Sequence, residues 1–203
     1  MAVIHQAELR PSKAEALAAW LPTQPWSSVP AGGRTTVAGK FRFDDPAGEV
    51  GVETLIVRTD DGRFLHAPLT YRGAPLAGAE AFLVTEMDHS VLGRRWVYDA
   101  VGDPVYADVL RRAIATGGHE AELERAAGTG TWDKEGTARG SGTATDSPTV
   151  TDVAARTEGA TTTVDTGYGH IVVARVVGTA LPDGDVLTAE WSDGSGVLAV
   201  LLP

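Results

Sequence analysis

Three arginines lie close together in the middle of the chain and are candidates for an anion-binding site. They are Arg72, Arg94 and Arg95, in a sequence whose formal net charge is −10. Guanidinium groups bind phosphate or carboxylate through paired hydrogen bonds, so the cluster is compatible with a clamp for an anionic ligand. We favour the alternative, in which these arginines pair inside the protein with nearby carboxylates: Asp88, Asp99 or Asp103.

A second stretch has the residue types of a nucleophilic triad. Asp88, His89 and Ser90 are consecutive, and adjacent residues on a strand or turn point apart, so they cannot form the relay that such catalysis needs. We predict instead that His89 and Ser90 fix a turn between two strands through hydrogen bonds from side chain to backbone.

Aromatic side chains are candidates for a sugar-binding site, because they could stack on sugar rings if several were exposed in one groove. Trp20 and Trp96 fall in apolar elements and are expected in the core, whereas Trp132 lies in a polar neighbourhood and is the best candidate for a surface contact. Tyr71 lies beside Arg72 and is a candidate for the mouth of a binding site.

Missing residue types exclude whole classes of chemistry. The chain has no cysteine, which rules out disulfides, thiolate metal sites and cysteine nucleophiles. His119 and Glu120 have no second histidine at ligand spacing, so we predict no metal site and no cofactor. The acidic balance argues against nucleic acid as a partner.

The elements that must position these residues are predicted from periodicity and turn signals. A capping box at Ser12 and Glu15 opens a helix that Pro22 ends, and Asp103 caps a second helix that Gly117 ends. An N-terminal strand at 3–9 and a loop at 23–40 flank the first helix. The central strands are predicted at 41–43, 49–59, 63–71, 81–87 and 94–100.

The remainder of the chain changes composition to Gly, Thr, Ser and Asp. A linker and a set of exposed strands both fit residues 126–169, and we favour strands at 149–156 and 160–166. Three clearer strands follow at 171–177, 187–191 and 197–202. No apolar run is long enough for a membrane span, and the N-terminus lacks a secretory signal pattern, so we expect a cytoplasmic chain.

Four linked motifs in the central stretch resemble the N-terminal cap domain of actinobacterial maltokinases. They are Pro68-Leu69-Thr70-Tyr71-Arg72, His89-Ser90-Val91-Leu92-Gly93, Arg95-Trp96-Val97-Tyr98-Asp99-Ala100 and Asp103-Pro104-Val105, in this order. The resemblance covers residues 1–125 and implies an α+β fold, with two main helices on a curved, cystatin-like antiparallel sheet. Residues 126–203 would add C-terminal antiparallel strands, in a second region or in continuity with the same domain.

In the family, sugar phosphorylation belongs to a kinase module that follows the cap. Such a module needs an Asn after its catalytic Asp to hold magnesium, and this chain contains no Asn. We therefore expect a stand-alone, non-catalytic cap-like protein.

Two functions follow from this expectation. The first is a protein-interaction or regulatory module associated with a separately encoded sugar kinase or with α-glucan and trehalose metabolism; exposed strand edges also make a homodimer plausible. The second is a small-ligand protein that binds a sugar or sugar phosphate on the concave sheet face. The candidate binding or interaction residues are Tyr71, Arg72, His89, Arg94, Arg95, Trp96, Asp99 and Trp132.

Overall fold

Two six-stranded antiparallel sheets, a parallel pair of short strands (residues 2–4 and 123–125) and two α-helices make up the fold of the computed structural model, which describes residues 2–4, 8–125 and 135–203. For 2–4 and 123–125 only the backbone is described. The strands up to residue 125 are β1 (Ala2–Ile4), β2 (Leu9–Arg10), β3 (Thr35–Phe43), β4 (Gly51–Thr59), β5 (Phe64–Arg72), β6 (Leu83–His89), β7 (Gly93–Asp99) and β8 (Leu123–Arg125). The later strands are β9 (Gly136–Gly140), β10 (Ala154–Glu158), β11 (Thr161–Asp165), β12 (His170–Ala174), β13 (Asp185–Trp191) and β14 (Gly194–Leu202). The α+β class is confirmed.

Both predicted helices are present, and local hydrogen bonds explain their bounds. Helix α1 (Lys13–Trp20) begins with the predicted capping box, in which Ser12 Oγ accepts from Glu15 N and Glu15 Oε2 accepts from Ser12 N. Helix α2 (Pro104–Thr116) is capped by Asp103, whose Oδ1 accepts from Val105 N at 2.9 Å. It ends at Gly117, which has a φ of +68°, a left-handed conformation that glycine adopts without a steric cost.

The first sheet has the strand order β2-β6-β7-β5-β4-β3. Its hairpins follow the predicted turns, but the prediction of a loop over 23–40 is wrong at its C-terminal end, because β3 begins at Thr35. The β-branched residues of the Thr35-Thr36-Val37 segment pair with the far end of β4, and a bulge between Val37 and Gly39 absorbs the irregularity. The predicted N-terminal strand is divided into β1 and β2, and residues 5–7 lie outside the described part of the chain.

Each face of the first sheet packs on a separate core. On one face, α1 and the loop after it place Leu17, Trp20 and Trp26 against Leu55, Leu69, Met87 and Val97, among others. On the other face, α2 and the second sheet share a larger core that runs from Phe41 to Ala199. Burial on both faces explains why β4 and β5 are apolar at nearly every position rather than at alternate ones.

The second sheet has the order β10-β11-β12-β14-β13-β9, so the Thr-rich region does contain strands. The predicted strand over 149–156 is wrong in its first half, because β10 begins at Ala154 and residues 141–153 are not in a strand. The chain after β12 leaves this sheet and runs beside β5. Here His66 N donates to Arg175 O at 2.9 Å and Val177 N donates to Phe64 O at 2.9 Å. Residues 175–177 therefore join the two sheets through backbone hydrogen bonds.

In the described ranges no helix is long and apolar enough to cross a lipid bilayer.

Candidate functional site

The strand register decides which of the predicted site residues share a face. Arg72 lies opposite Trp96 and Tyr71 lies opposite Val97 in the β5–β7 pair. Because side chains alternate along a strand, Arg72, Arg94 and Trp96 lie on one face of the sheet, and Tyr71 and Arg95 lie on the other. The structure therefore does not bring these residues together around one mouth.

Arg72 is bound within the protein by Asp103. Its Nε and Nη2 donate to Asp103 Oδ2 and Oδ1 at 2.7 and 2.6 Å, a two-point pairing that raises the pKa of Arg72. Asp103 is fully buried and also caps α2, so the pair ties the end of β5 to the start of that helix. The internal ion pair favoured from the sequence is the one observed here.

The other two arginines have different partners. Arg94 lies on the surface, with Nη1 at 3.3 Å from Glu86 Oε2 and Nε at 3.9 Å from Asp88 Oδ1. Arg95 donates to the carbonyl of Leu92 at 2.8 Å on the hairpin tip. Since each of the three arginines binds a separate group, they do not converge on one anion.

Tyr71 belongs to a buried polar cluster around Glu53, which the sequence did not reveal. Tyr71 Oη donates to Glu53 Oε2 at 2.9 Å, and the same carboxylate receives Lys13 Nζ at 2.5 Å and Arg42 Nε at 3.3 Å. Burial disfavours the charged carboxylate, but Lys13 and Arg42 outweigh it and lower the pKa of Glu53 to about 2. Burial and the Glu53 charge raise the pKa of Tyr71, so its hydroxyl stays a hydrogen-bond donor.

His89 holds the β6–β7 turn as predicted. Its Nδ1 accepts from Val91 N at 3.2 Å and from Leu92 N at 3.1 Å. Ser90 acts at a different place, because its Oγ accepts from Glu8 N and its N donates to Glu8 O, which fastens the hairpin to the residues before β2. The turn presents two aliphatic side chains to solvent, Val91 at 56% and Leu92 at 46% exposure.

Asp99 pairs with Arg175, a residue that no sequence signal singled out. Arg175 Nη1 and Nη2 donate to Asp99 Oδ1 and Oδ2 at 2.9 and 2.6 Å, and Arg175 Nε donates to Thr162 Oγ1 at 2.7 Å. The guanidinium also lies 5.0 Å from the ring centre of Trp26. Arg175 is completely buried, so these contacts hold an ion pair between the sheets.

Trp132 lies outside the described residues. Trp20 is buried as predicted, but the prediction that Trp96 lies in the core is wrong, because Trp96 is only half-buried and belongs to neither core.

An open cleft of about 460 Å³ lies elsewhere, between α2 and the end of β3. Phe43, Val109, Ala113 and Ala121 provide its apolar lining, and Asp44 and Glu122 contribute carboxylates. None of the predicted site residues within the described ranges lines it. In the described part of the chain no group of His, Asp and Glu side chains is arranged to hold a metal ion.

The protein is therefore an α+β scaffold in which Arg72, Asp99 and Glu53 form ion pairs inside the fold. The family model for the maltokinase N-terminal cap domain matches residues 20–103 of this chain. The matched region runs from the last residue of α1 to the capping residue of α2 and contains β3 to β7. It confirms the resemblance that the motifs predicted, over a shorter range than the expected 1–125. No curated protein matches the chain.

Proposed function

We propose that this chain is a cap module without catalytic activity of its own, which acts by contacting a sugar kinase encoded separately. The observation that carries the proposal is the match of residues 20–103 to the maltokinase N-terminal cap domain. The chemistry of the chain supports a non-catalytic role, because it has no Asn for a kinase magnesium site.

The β6–β7 turn is the contact point that we propose for the kinase. Val91 and Leu92 are adjacent, aliphatic and exposed, and the two hydrogen bonds from their amides to His89 hold them in place. A preorganised apolar tip loses little conformational entropy on binding, which favours its use as an anchor in a partner's pocket.

The test is binding of the purified chain to a maltokinase from which the cap has been removed, measured by isothermal titration calorimetry. We expect saturable binding, and we expect no phosphorylation of maltose when the chain alone is incubated with ATP and magnesium. Absence of binding at the highest soluble concentration would contradict the proposal, and phosphorylation by the chain alone would contradict the non-catalytic part.

The contact point is tested with Leu92→Asp and a matched control, Tyr168→Ala. Leu92 and Tyr168 are both exposed, at 46% and 54%, so neither change removes core packing. We expect Leu92→Asp to weaken kinase binding at least about tenfold, because a charge would enter an apolar contact. Tyr168→Ala should leave the affinity unchanged. Equal effects from both variants would contradict a role for the tip.

Ligand binding on the concave sheet face stays a prediction and receives less support. Both faces of the first sheet are packed with side chains, and the described cleft contains none of the residues expected at a sugar site. A thermal-shift screen with maltose, trehalose and their phosphates tests it directly. A ligand at a hundred times its dissociation constant stabilises the fold by about 2.7 kcal/mol, which is measurable as a shift of several degrees.

A further inference from the structure

Strand β10 is an outer strand of the second sheet, with a hydrogen-bonded neighbour on one side only in the described part of the chain. Among the described strands it pairs only with β11, whereas the outer strands β3 and β9 each meet further chain. The backbone of β3 runs directly against β13, since a Cβ on Gly39 would lie 2.5 Å from Trp191 Cβ. Residues 118–120 donate to and accept from the backbone of β9. Strand β2, the other outer strand of the first sheet, is only 2 residues long.

The backbone groups of β10 that face outward are those of Ala155 and Thr157. In the two-residue hairpin between β10 and β11, Glu158 lies opposite Thr161 next to the turn, and this closing pair exchanges both backbone hydrogen bonds. Hydrogen-bonded and non-hydrogen-bonded pairs alternate along the ladder. The backbone N–H and C=O groups of Glu158 and Arg156 therefore point toward β11, and those of Thr157 and Ala155 point away from it. No backbone hydrogen bond of the described residues outside the ladders uses Ala155 or Thr157.

Several features that block edge-to-edge pairing are missing from β10, although it carries two charged side chains, Arg156 and Glu158. The segment Ala154–Glu158 contains no proline, no lysine and no bulge, and all its residues but Ala155 are exposed. Natural sheet edges avoid pairing by such features or by charged side chains. The two charges of β10 are of opposite sign, so they repel a partner strand only in some registers, and its outward backbone groups remain a template for another strand.

We propose that two copies of this chain pair through β10, antiparallel and related by a two-fold axis at Thr157. This register lets Thr157 exchange both backbone hydrogen bonds with its symmetry mate, because its amide and carbonyl point outward. It also places Arg156 opposite Glu158 of the second copy, and the same contact repeats on the other side of the axis.

Charge complementarity favours this occupant over an unrelated strand. Within one chain, Arg156 Nη2 lies 2.6 Å from Glu158 Oε1, and both side chains are exposed, at 82% and 68%. Both are therefore free to re-pair across the two-fold axis without loss of core packing. A one-residue shift of register would centre the two-fold axis on Arg156 and place the two copies of Arg156 opposite each other. It would also turn toward the partner the backbone amides that already bond to β11.

Sedimentation equilibrium of the full chain over a range of concentrations tests the proposal. We expect a monomer–dimer equilibrium, with a dissociation constant raised at least about tenfold by Arg156→Glu and by Glu158→Arg, because each puts like charges opposite each other twice. The double variant carrying both changes should recover dimerisation. A monomer at every concentration, a larger assembly, or a dimer indifferent to these charges would overturn the proposal.

A second pair of variants tests the backbone contact. Thr157→Pro removes an amide that points away from β11, so we expect the hairpin to persist and the dimer to be lost. Thr157→Val is the matched control, since it loses the same hydroxyl contact with Thr162 Oγ1 at 2.8 Å but keeps the amide, and it should still dimerise. Equal dimerisation of the two variants would overturn the pairing. Both experiments use the chain alone, so their outcome is independent of the proposed kinase partner.

Discussion

Arg175 and Asp99 form a buried, two-point ion pair at the place where the chain passes from the second sheet to the first. Their side chains are only 1% and 8% exposed, and the two residues are 76 positions apart in the sequence. Asp99 ends β7, and Arg175 begins the segment that takes the place of β7 beside β5. The ion pair therefore stabilises the junction between the sheets.

Removal of either partner should destabilise the protein strongly, because the remaining charge would be buried without a counter-ion. We expect Arg175→Met or Asp99→Leu to lower the free energy of unfolding by about 3–5 kcal/mol. The double variant should lose less than the sum of the two single variants, since it leaves no unpaired charge. Urea unfolding of the three variants measures this coupling, and strict additivity would show that the pair does not act as a unit.

The same junction leads us to expect that residues 1–125 and 126–203 unfold together. Side chains from both regions share one core, which includes Phe43, Leu110, Val173 and Leu198. A shared core of this kind predicts one cooperative transition. Far-UV circular dichroism and tryptophan fluorescence should give the same urea midpoint. Two separate midpoints would mean that the regions are independent domains.

Much of the fold could be predicted because its signals are local. The Ser12 and Glu15 capping box, the Asp103 cap and the His89 turn each involve groups within three positions of one another, so residue type and spacing were sufficient. The start of β3 at Thr35 could not be predicted in this way, because its pairing partner is Thr59, at the far end of β4. Its hydrogen bonds form only after the hairpin closes.

The candidate site was harder to predict, because a charged residue in the sequence does not reveal its partner. Arg72 and Asp103 are 31 positions apart, and Lys13 and Glu53 are 40 apart. For Arg72, both a ligand clamp and an internal ion pair could be considered from the sequence, but Arg175 and Glu53 carried no signal at all. Only the tertiary fold brings each of these charges to its counter-ion.

Stability should fall with pH below neutrality because of His66. This side chain is fully buried, and burial together with the nearby Arg175 charge lowers its pKa from 6.5 to about 3, although the carbonyls of Ala174 and Leu198 favour protonation. The folded state therefore keeps His66 neutral, while the unfolded state binds a proton below a pH of about 6.5. Folding stability due to this residue is complete above that pH and is lost as the pH falls toward 3.

Between pH 6.5 and 4.5, the pH dependence of stability due to His66 can be measured without a contribution from Glu53. The pKa of Glu53 is lowered from 4.5 to about 2, so its contribution is present above pH 4.5 and is lost only as the pH falls from there toward 2. We expect the free energy of unfolding, measured with urea, to fall by up to about 1.4 kcal/mol per pH unit as the pH is lowered from 6.5 to 4.5, because of His66. His66→Gln should be less stable at pH 7 but should lose this slope; an unchanged slope would assign it to other groups.

The Tyr71 hydroxyl is one of the donors that keep Glu53 charged inside the protein. Tyr71→Phe removes that donor and leaves the ring in place, and we expect the free energy of unfolding to fall by about 1.5–3 kcal/mol, the range for a hydrogen bond to a charged group. Tyr98→Phe is the matched control: Tyr98 is 2% exposed, and its hydroxyl accepts from the neutral amide of Leu76 at 2.9 Å. Its loss should cost about 1 kcal/mol. If the two variants were equally stable, the charge on Glu53 would not depend on Tyr71, and Lys13 and Arg42 alone would hold the carboxylate.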